Sequence, residues 1–237
     1  MINKQNHQLI MGLILRDIYS DTTINSLLGF KGGTCAYFFY DLPRFSVDLD
    51  FDLLDTKAEN KKIVFNKIID ILNKYGDIKD KRIKRYAIFS LLSYGPDDHN
   101  IKVEINLRKI IKNIKEQYEI KEHLSIPMFV ARQEYLFAGK LAALTLRCKP
   151  AMRDVYDIYY FTKNHWDINT ETINNLTGKN VKEQLESSLL FIESIRNNEI
   201  LQGLGELVSS EKEKDWIKKN LKSETIFMIK NYLSVIK

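Results

Sequence analysis

Lys-Gly-Gly-Thr-Cys-Ala-Tyr-Phe-Phe-Tyr-Asp-Leu-Pro-Arg-Phe-Ser-Val-Asp-Leu-Asp-Phe-Asp occupies residues 31–52. A glycine pair, Gly32 and Gly33, opens a short apolar helical stretch; Pro43 ends it, and an alternating acidic segment follows. Neither glycine has a Cβ, so an anion can approach the backbone closely. With Thr34 as helix cap, the free N–H groups of the first turn and the helix dipole favour a phosphate at that point. Thr34 and Ser46 would add hydroxyl donors and Lys31 a positive charge. A plain strand-to-helix turn would use the same residues, so the glycine pair decides nothing alone.

The acidic segment sharpens the reading. Side chains alternate along a strand, so over residues 47–53 Asp48, Asp50 and Asp52 share one face and the apolar residues the other. Asp48 and Asp50 are then about 6.6 Å apart at their Cα atoms, a spacing that suits carboxylates converging on magnesium or manganese. Unbalanced, such parallel carboxylates repel and raise one another's pKa. No cation shares that face of the segment.

A further carboxylate lies on residues 101–107, Ile-Lys-Val-Glu-Ile-Asn-Leu, whose odd positions are apolar. Glu104 is therefore on the polar face with Lys102 and Asn106. If this strand neighbours residues 47–53, Glu104 completes a triad able to bind metal or act as a base. Without that neighbour it is a surface Glu beside Lys102.

A third group lies in the C-terminal half. Lys140 interrupts the apolar helical run Leu-Phe-Ala-Gly-Lys-Leu-Ala-Ala-Leu, so it must snorkel or reach a buried anion. Arg147 follows two turns on. Asp154 and Asp157 are three apart on the next helix and face one way. An exposed Arg153–Asp157 pair, worth little, is the plain alternative. The functional reading gives Lys140 a triphosphate, and Asp154 or Asp157 the alignment of that lysine or the binding of base and ribose.

The bulk composition, 44% hydrophobic and 28% charged over 237 residues, is that of a globular chain rather than a disordered or disulfide-stapled one. Cys35 and Cys148 lack metal-ligand spacing and are expected to be free thiols in a reducing cytosol. No signal peptide and no stretch of ~20 apolar residues is seen, so a soluble cytoplasmic protein away from membranes is expected. The net charge of +5 suits a nucleic-acid partner without demanding one.

Periodicity predicts one or two helices over 5–28, a strand at 27–30, helices over 34–40 and 59–75, and strands over 86–94 and 101–107. The last two are joined through the Gly95-Pro96-Asp97-Asp98 turn. From residue 132 onward helices are predicted over 133–148, 151–163, 181–197, 211–221 and 224–236. The expected fold is α+β, a mixed sheet with flanking helices followed by a C-terminal helical bundle. The expected domains are residues 1–130, and residues 131–237 completing a nucleotide cleft.

In order, Lys-Gly-Gly-Thr, Phe-Ser-Val-Asp-Leu-Asp-Phe-Asp, Lys-Val-Glu-Ile-Asn, Ala-Gly-Lys-Leu-Ala-Ala-Leu and Arg-Asp-Val-Tyr-Asp-Ile-Tyr resemble the AbiEii/AbiGii-type nucleotidyltransferases. These are toxin components of type IV toxin–antitoxin and abortive-infection systems. The resemblance runs from residue 30 to 161, and it is the whole set that makes it specific. It implies a polymerase-beta-type nucleotidyltransferase fold and magnesium-dependent transfer of a nucleoside monophosphate from an NTP. It assigns the phosphate turn to Gly32, Gly33 and Thr34, metal ligation to Asp48 and Asp50, and the helical lysine and acid to Lys140 and Asp154 or Asp157. Glu104 fits the third carboxylate less closely. The expected acceptor is an RNA, in particular a tRNA 3′ end, and the expected partner a cognate antitoxin. Alternatives are transfer to a small molecule or protein, or an NTP-binding regulator without turnover.

Overall fold

The computed structural model describes residues 3–95, 100–109, 111–149, 151–208 and 210–236. It divides into two compact units, residues 1–41 with 46–132, and residues 42–45 with 133–237.

The first unit is built on a seven-stranded mixed sheet in the order β3-β4-β5-β2-β1-β7-β6. The strands are β1 (Leu28–Lys31), β2 (Leu49–Leu53), β3 (Asp77–Ile83), β4 (Ala87–Ser93), β5 (Asn100–Asn106), β6 (Tyr118–His123) and β7 (Ile126–Ala131). Alternation sets the faces. Phe30, Leu49, Phe51, Val103 and Ile105 are fully or almost fully buried, whereas Asp50, Lys102, Glu104 and Asn106 between them keep partial exposure. Helices α1 (Lys4–Ser20) and α3 (Ala58–Leu72) complete this core with Met11, Ile14, Leu15, Ile18, Val64 and Ile68. Each such side chain contributes about 1.5–3 kcal/mol by leaving water. Between β1 and β2 stands α2 (Gly32–Phe39).

Two boundaries differ from the sequence reading. Helix α2 starts at Gly32 with Lys31 as its N-cap, so Thr34 is the third helical residue rather than the cap. Strand β2 begins at Leu49, which leaves Val47 and Asp48 just ahead of it. The antiparallel pairing of β4 with β5 matches the expected hairpin; residues 96–98 of its turn lie outside the described residues. Strand β7 escaped prediction with Pro127 inside it, and β3 and β6 because they are the sheet's edges. Charges on both their faces mask the alternation, a common means of discouraging strand addition.

The second unit is helical: α4 (Gln133–Leu146), α5 (Met152–Lys163), α6 (Thr170–Thr177), α7 (Val181–Ser194), α8 (Glu211–Trp216) and α9 (Lys222–Val235). Helix α4 packs on α5, α6 and α7, and α9 on α5 and α7. Phe161 stacks on Trp166 with centroids 4.0 Å apart. Helix α6 was not foreseen, being short; it is set by its caps, Asn169 accepting from the Thr172 N–H and Gly178 at φ +71°. Residues 42–45 join this unit through the Phe45 N–H to Leu207 carbonyl bond of 2.8 Å and through the buried Leu42, Arg44 and Phe45. Among the described residues no helix is long and apolar enough to cross a membrane.

Candidate active site

The chain leaves β1 and enters α2 without a loop, and the turn is possible because Gly32 adopts φ +84°. A Cβ there would lie 2.6 Å from Asp50 Oδ2. Glycine is thus required twice, by its backbone conformation and by a carboxylate packed onto it. The N-cap residue Lys31 makes no side-chain cap bond, and the first N–H groups of a helix have no partner within it. The Thr34 hydroxyl is turned inward: it donates to the Asp48 carbonyl and lies 2.9 Å from Ser46 Oγ. Both hydroxyl residues are buried and tie the glycine turn to the acidic segment.

Register aligns the charges. Lys31 of β1 faces Asp50 of β2, and Asp50 faces Glu104 of β5. Glu104 therefore has the neighbouring strand that its reading required. A cation lies among these acids, contrary to the single-strand view. Lys102 Nζ is 3.4 Å from Asp48 Oδ2, 3.9 Å from Asp50 Oδ1 and 3.7 Å from Glu104 Oε2. Burial works against the Lys102 charge, but Asp50, Asp48 and Glu104 outweigh it and raise the ammonium's pKa. The four groups are partly exposed. Among the described residues no three His, Cys, Asp or Glu side chains stand close enough to hold a metal ion as they are. Three carboxylates disposed about one cation nonetheless form the hard-oxygen donor set a magnesium-type ion takes. Asp48, Asp50 and Glu104 are the residues that would hold it.

Asp52 is different from its two neighbours. It is 2% exposed and receives Lys31 Nζ at 2.6 Å, Asn106 Nδ2 at 2.7 Å and the Tyr118 hydroxyl at 2.7 Å. The Tyr118 ring reaches it across Gly29, where a Cβ would meet that ring at 2.3 Å. Asp52 thus holds Lys31 beside the turn. On the other side, fully buried His7 places Nε2 3.0 Å from the Val47 carbonyl and Nδ1 2.6 Å from the Tyr94 hydroxyl. The tautomer with hydrogen on Nε2 donates to Val47 and accepts from Tyr94, which fixes the backbone next to Asp48. Burial pushes the Cys35 thiol up, so it serves packing.

In the helical unit Lys140 reaches buried anions. Its Nζ is 2.8 Å from Asp154 Oδ1 and 2.7 Å from Asp157 Oδ2, both carboxylates being fully enclosed. Arg147 also pairs with Asp154. Asp157 pairs with Arg44, not with Arg153 on the surface: Nε and Nη2 approach its two oxygens at 2.5 and 2.7 Å. Such enclosure favours aligning Lys140 over touching base or ribose.

The first unit thus sets a glycine turn beside a carboxylate cluster; the second, by itself, holds a lysine between two buried carboxylates. A family model described as the nucleotidyl transferase AbiEii toxin of type IV toxin–antitoxin systems matches residues 13–220. The chain belongs to the AbiEii nucleotidyltransferase toxin family. This AbiEii-family protein is a nucleotidyltransferase, and membership brings an NTP substrate, a divalent metal in general and an antitoxin partner. Its fold is also that of JHP933 from Helicobacter pylori, 18% identical, with a TM-score of 0.63 over 99% of this chain and 93% of that one. The nucleotidyltransferase toxin MenT4 from Mycobacterium tuberculosis H37Rv is 14% identical, with a TM-score of 0.54 over 99% and 85%. No curated protein matches the sequence.

Three residues that hold candidate side chains in place went unnoticed in the sequence: His7 and Tyr118 in the first unit and Arg44 in the second. Only Arg44 had a signal, as a cation beside Pro43 in an otherwise apolar stretch. Gly32→Ala tests the turn. Because φ is positive and Asp50 blocks the Cβ, we expect a loss of about 1–3 kcal/mol of stability and NTP binding weakened at least tenfold. Thermal melts and NTP titration by calorimetry would read both; unchanged NTP affinity would remove Gly32 from the site.

Proposed function

We propose that this toxin transfers a nucleoside monophosphate from an NTP to an RNA 3′ end, a tRNA end in particular, with magnesium or manganese: the 3′ oxygen bonds to the α-phosphorus as the α–β phosphoanhydride bond breaks and pyrophosphate leaves. The observation that carries the reading is the Asp50 carboxylate packed against Gly32 at the start of α2. That contact sets backbone N–H groups suited to phosphate oxygens beside a carboxylate suited to a divalent ion, which supports the reading.

In this reading the N–H groups of Gly32, Gly33 and Thr34 orient the phosphates, with Lys31 held by Asp52 as the adjacent charge. Thr34 and Ser46 fix the turn to the Asp48 segment. Asp48, Asp50 and Glu104 would hold the metal, which would activate the acceptor hydroxyl and neutralise charge on the transferred phosphoryl group. Lys102 is the cation these carboxylates share in the structure, and Glu104 would assist removal of the hydroxyl proton. Lys140 is assigned to the triphosphate's charge and Asp154 and Asp157 to its alignment. Positioning and electrostatics supply most of the acceleration. Residues 1–130 are assigned the transfer chemistry and residues 131–237 the lysine. The mild positive charge of +5 supports an RNA acceptor.

The test is incubation with each of four α-labelled NTPs and total cellular RNA, with magnesium or with EDTA. Label should enter RNA with one preferred NTP, and EDTA should abolish it. Label on protein or small molecules instead of RNA would overturn the acceptor assignment, and EDTA-resistant labelling would overturn the metal.

A further inference from the structure

Across the polar face of the sheet, register builds one row through five strands: Arg82 on β3, Phe89 on β4, Glu104 on β5, Asp50 on β2 and Lys31 on β1. From β3 to β2 is about 14 Å, three inter-strand steps of about 4.8 Å. At the β3 end the charge reverses. Residues 79–86, Lys-Asp-Lys-Arg-Ile-Lys-Arg-Tyr, hold five cations against one carboxylate, a surplus of four where the whole chain has five.

These cations are organised by aromatic rings. Lys84 Nζ is 4.4 Å and Arg82 Cζ 5.7 Å from the Phe89 ring centre. Arg85 and Arg108 each lie 4.9 Å from that of Tyr86, which is 45% exposed. Cation–π contact restrains such side chains without consuming their hydrogen-bond donors. Arg82 also pairs with Asp80; Lys84, Arg85 and Arg108 are exposed. Arg108 continues into a cavity of about 190 Å³ that also has Thr56, Lys109 and Lys112 in its wall. Edge protection of β3 would need only a lysine or two. It would not call for guanidinium groups stacked on rings in line with the acids.

We propose that this basic-aromatic strip, with Arg82, Lys84, Arg85 and Arg108 at its centre, binds the RNA acceptor and leads its 3′ end along the row to Asp50. The inference rests on RNA as the acceptor. Single-stranded nucleic acid is held by a positive track for phosphates and by planar groups on which bases stack, and guanidinium planes serve as well as rings. The acids at the other end repel a polyanion unless a metal is bound, so the strip supplies affinity that the catalytic groups cannot.

The test measures equilibrium binding of a fluorescein-labelled bulk tRNA pool by anisotropy over a range of salt, alongside labelling of that pool from NTP. Arg82→Glu with Lys84→Glu is expected to weaken binding by at least tenfold. Each lost phosphate contact should also flatten the log–log salt dependence by about 0.7 to 0.9. NTP affinity and the thermal melt should stay unchanged, because both side chains are exposed. Lys81→Glu makes a like charge change on the opposite face of β3 and should stay within twofold of wild type. Equal losses from Lys81→Glu and Arg82→Glu would overturn the strip in favour of diffuse charge. Undiminished binding in the double variant, with wild type labelling tRNA, would overturn the strip and leave the RNA acceptor standing. If wild type neither binds nor labels tRNA, the acceptor reading itself falls and takes the strip with it.

Discussion

Asp157→Asn is expected to destabilise the protein by about 3–5 kcal/mol, the usual cost of removing one partner from a buried ion pair. Asp157 is fully enclosed, with Arg44 at 2.5 Å and Lys140 at 2.7 Å, and Arg44 is itself 1% exposed. The asparagine leaves two cations facing a neutral amide, and Arg44 has no route to water. Burial on its own would raise the Asp157 pKa, but Arg44 first and then Lys140 outweigh it and hold the carboxyl below its ordinary value of 3.8. The sign follows. A depressed carboxylate contributes stability above its unfolded-state pKa and loses it as pH falls through the lower folded value. Urea unfolding followed by helical circular dichroism should therefore show a large gap between wild type and variant at pH 7, shrinking below about pH 3.8. A gap under about 1 kcal/mol at pH 7, the scale of an exposed pair, would mean that the carboxylate is solvated. Arg44→Met with Asp157→Asn should recover part of the loss by removing the stranded charge.

The second large effect separates the three aspartates of the acidic segment. Asp48→Asn or Asp50→Asn is expected to lower transfer by about three orders of magnitude, the upper range for loss of one preorganised electrostatic group. Stability should change little, because both carboxylates are partly exposed and crowd Lys102 and Glu104. Asp52→Asn should behave oppositely. It removes the anion that takes Lys31, Asn106 and Tyr118, so the melting temperature falls and NTP affinity drops with Lys31 released. Initial rates of label transfer with a thermal melt on each variant separate the cases. Activity near wild type in both Asp48→Asn and Asp50→Asn, with the fold intact, would remove these residues from the chemistry.

Much of this was legible before the fold was known. The glycine pair announced a close approach, and Gly32 does have positive φ and a carboxylate against its Cα. Period-2 alternation placed Leu49, Phe51, Val103 and Ile105 in the core, and the lone lysine of an apolar helix had either to snorkel or to reach a buried anion. These signals survive because they are local: backbone sterics, side-chain alternation and the cost of burying an unpaired charge act within a few residues. The edge strands β3 and β6 were lost for the opposite reason, since an edge must carry charge on faces that a central strand keeps apolar.

By itself, then, the sequence determined most of the helices, the central strands β1, β2, β4 and β5, the turn at Gly32, and the candidate acids and lysines. It could not say which cation meets which acid. Asp48, Asp50 and Asp52 look equivalent along the chain, yet pairing with β5 gives the first two Lys102, and pairing with β1 gives the third Lys31. Asp157 finds Arg44 across 113 positions rather than nearby Arg153. Coulomb attraction and desolvation depend on distance and burial in space. Only the tertiary structure, by closing those separations, decided which cation each carboxylate meets and which carboxylates are buried or left partly exposed.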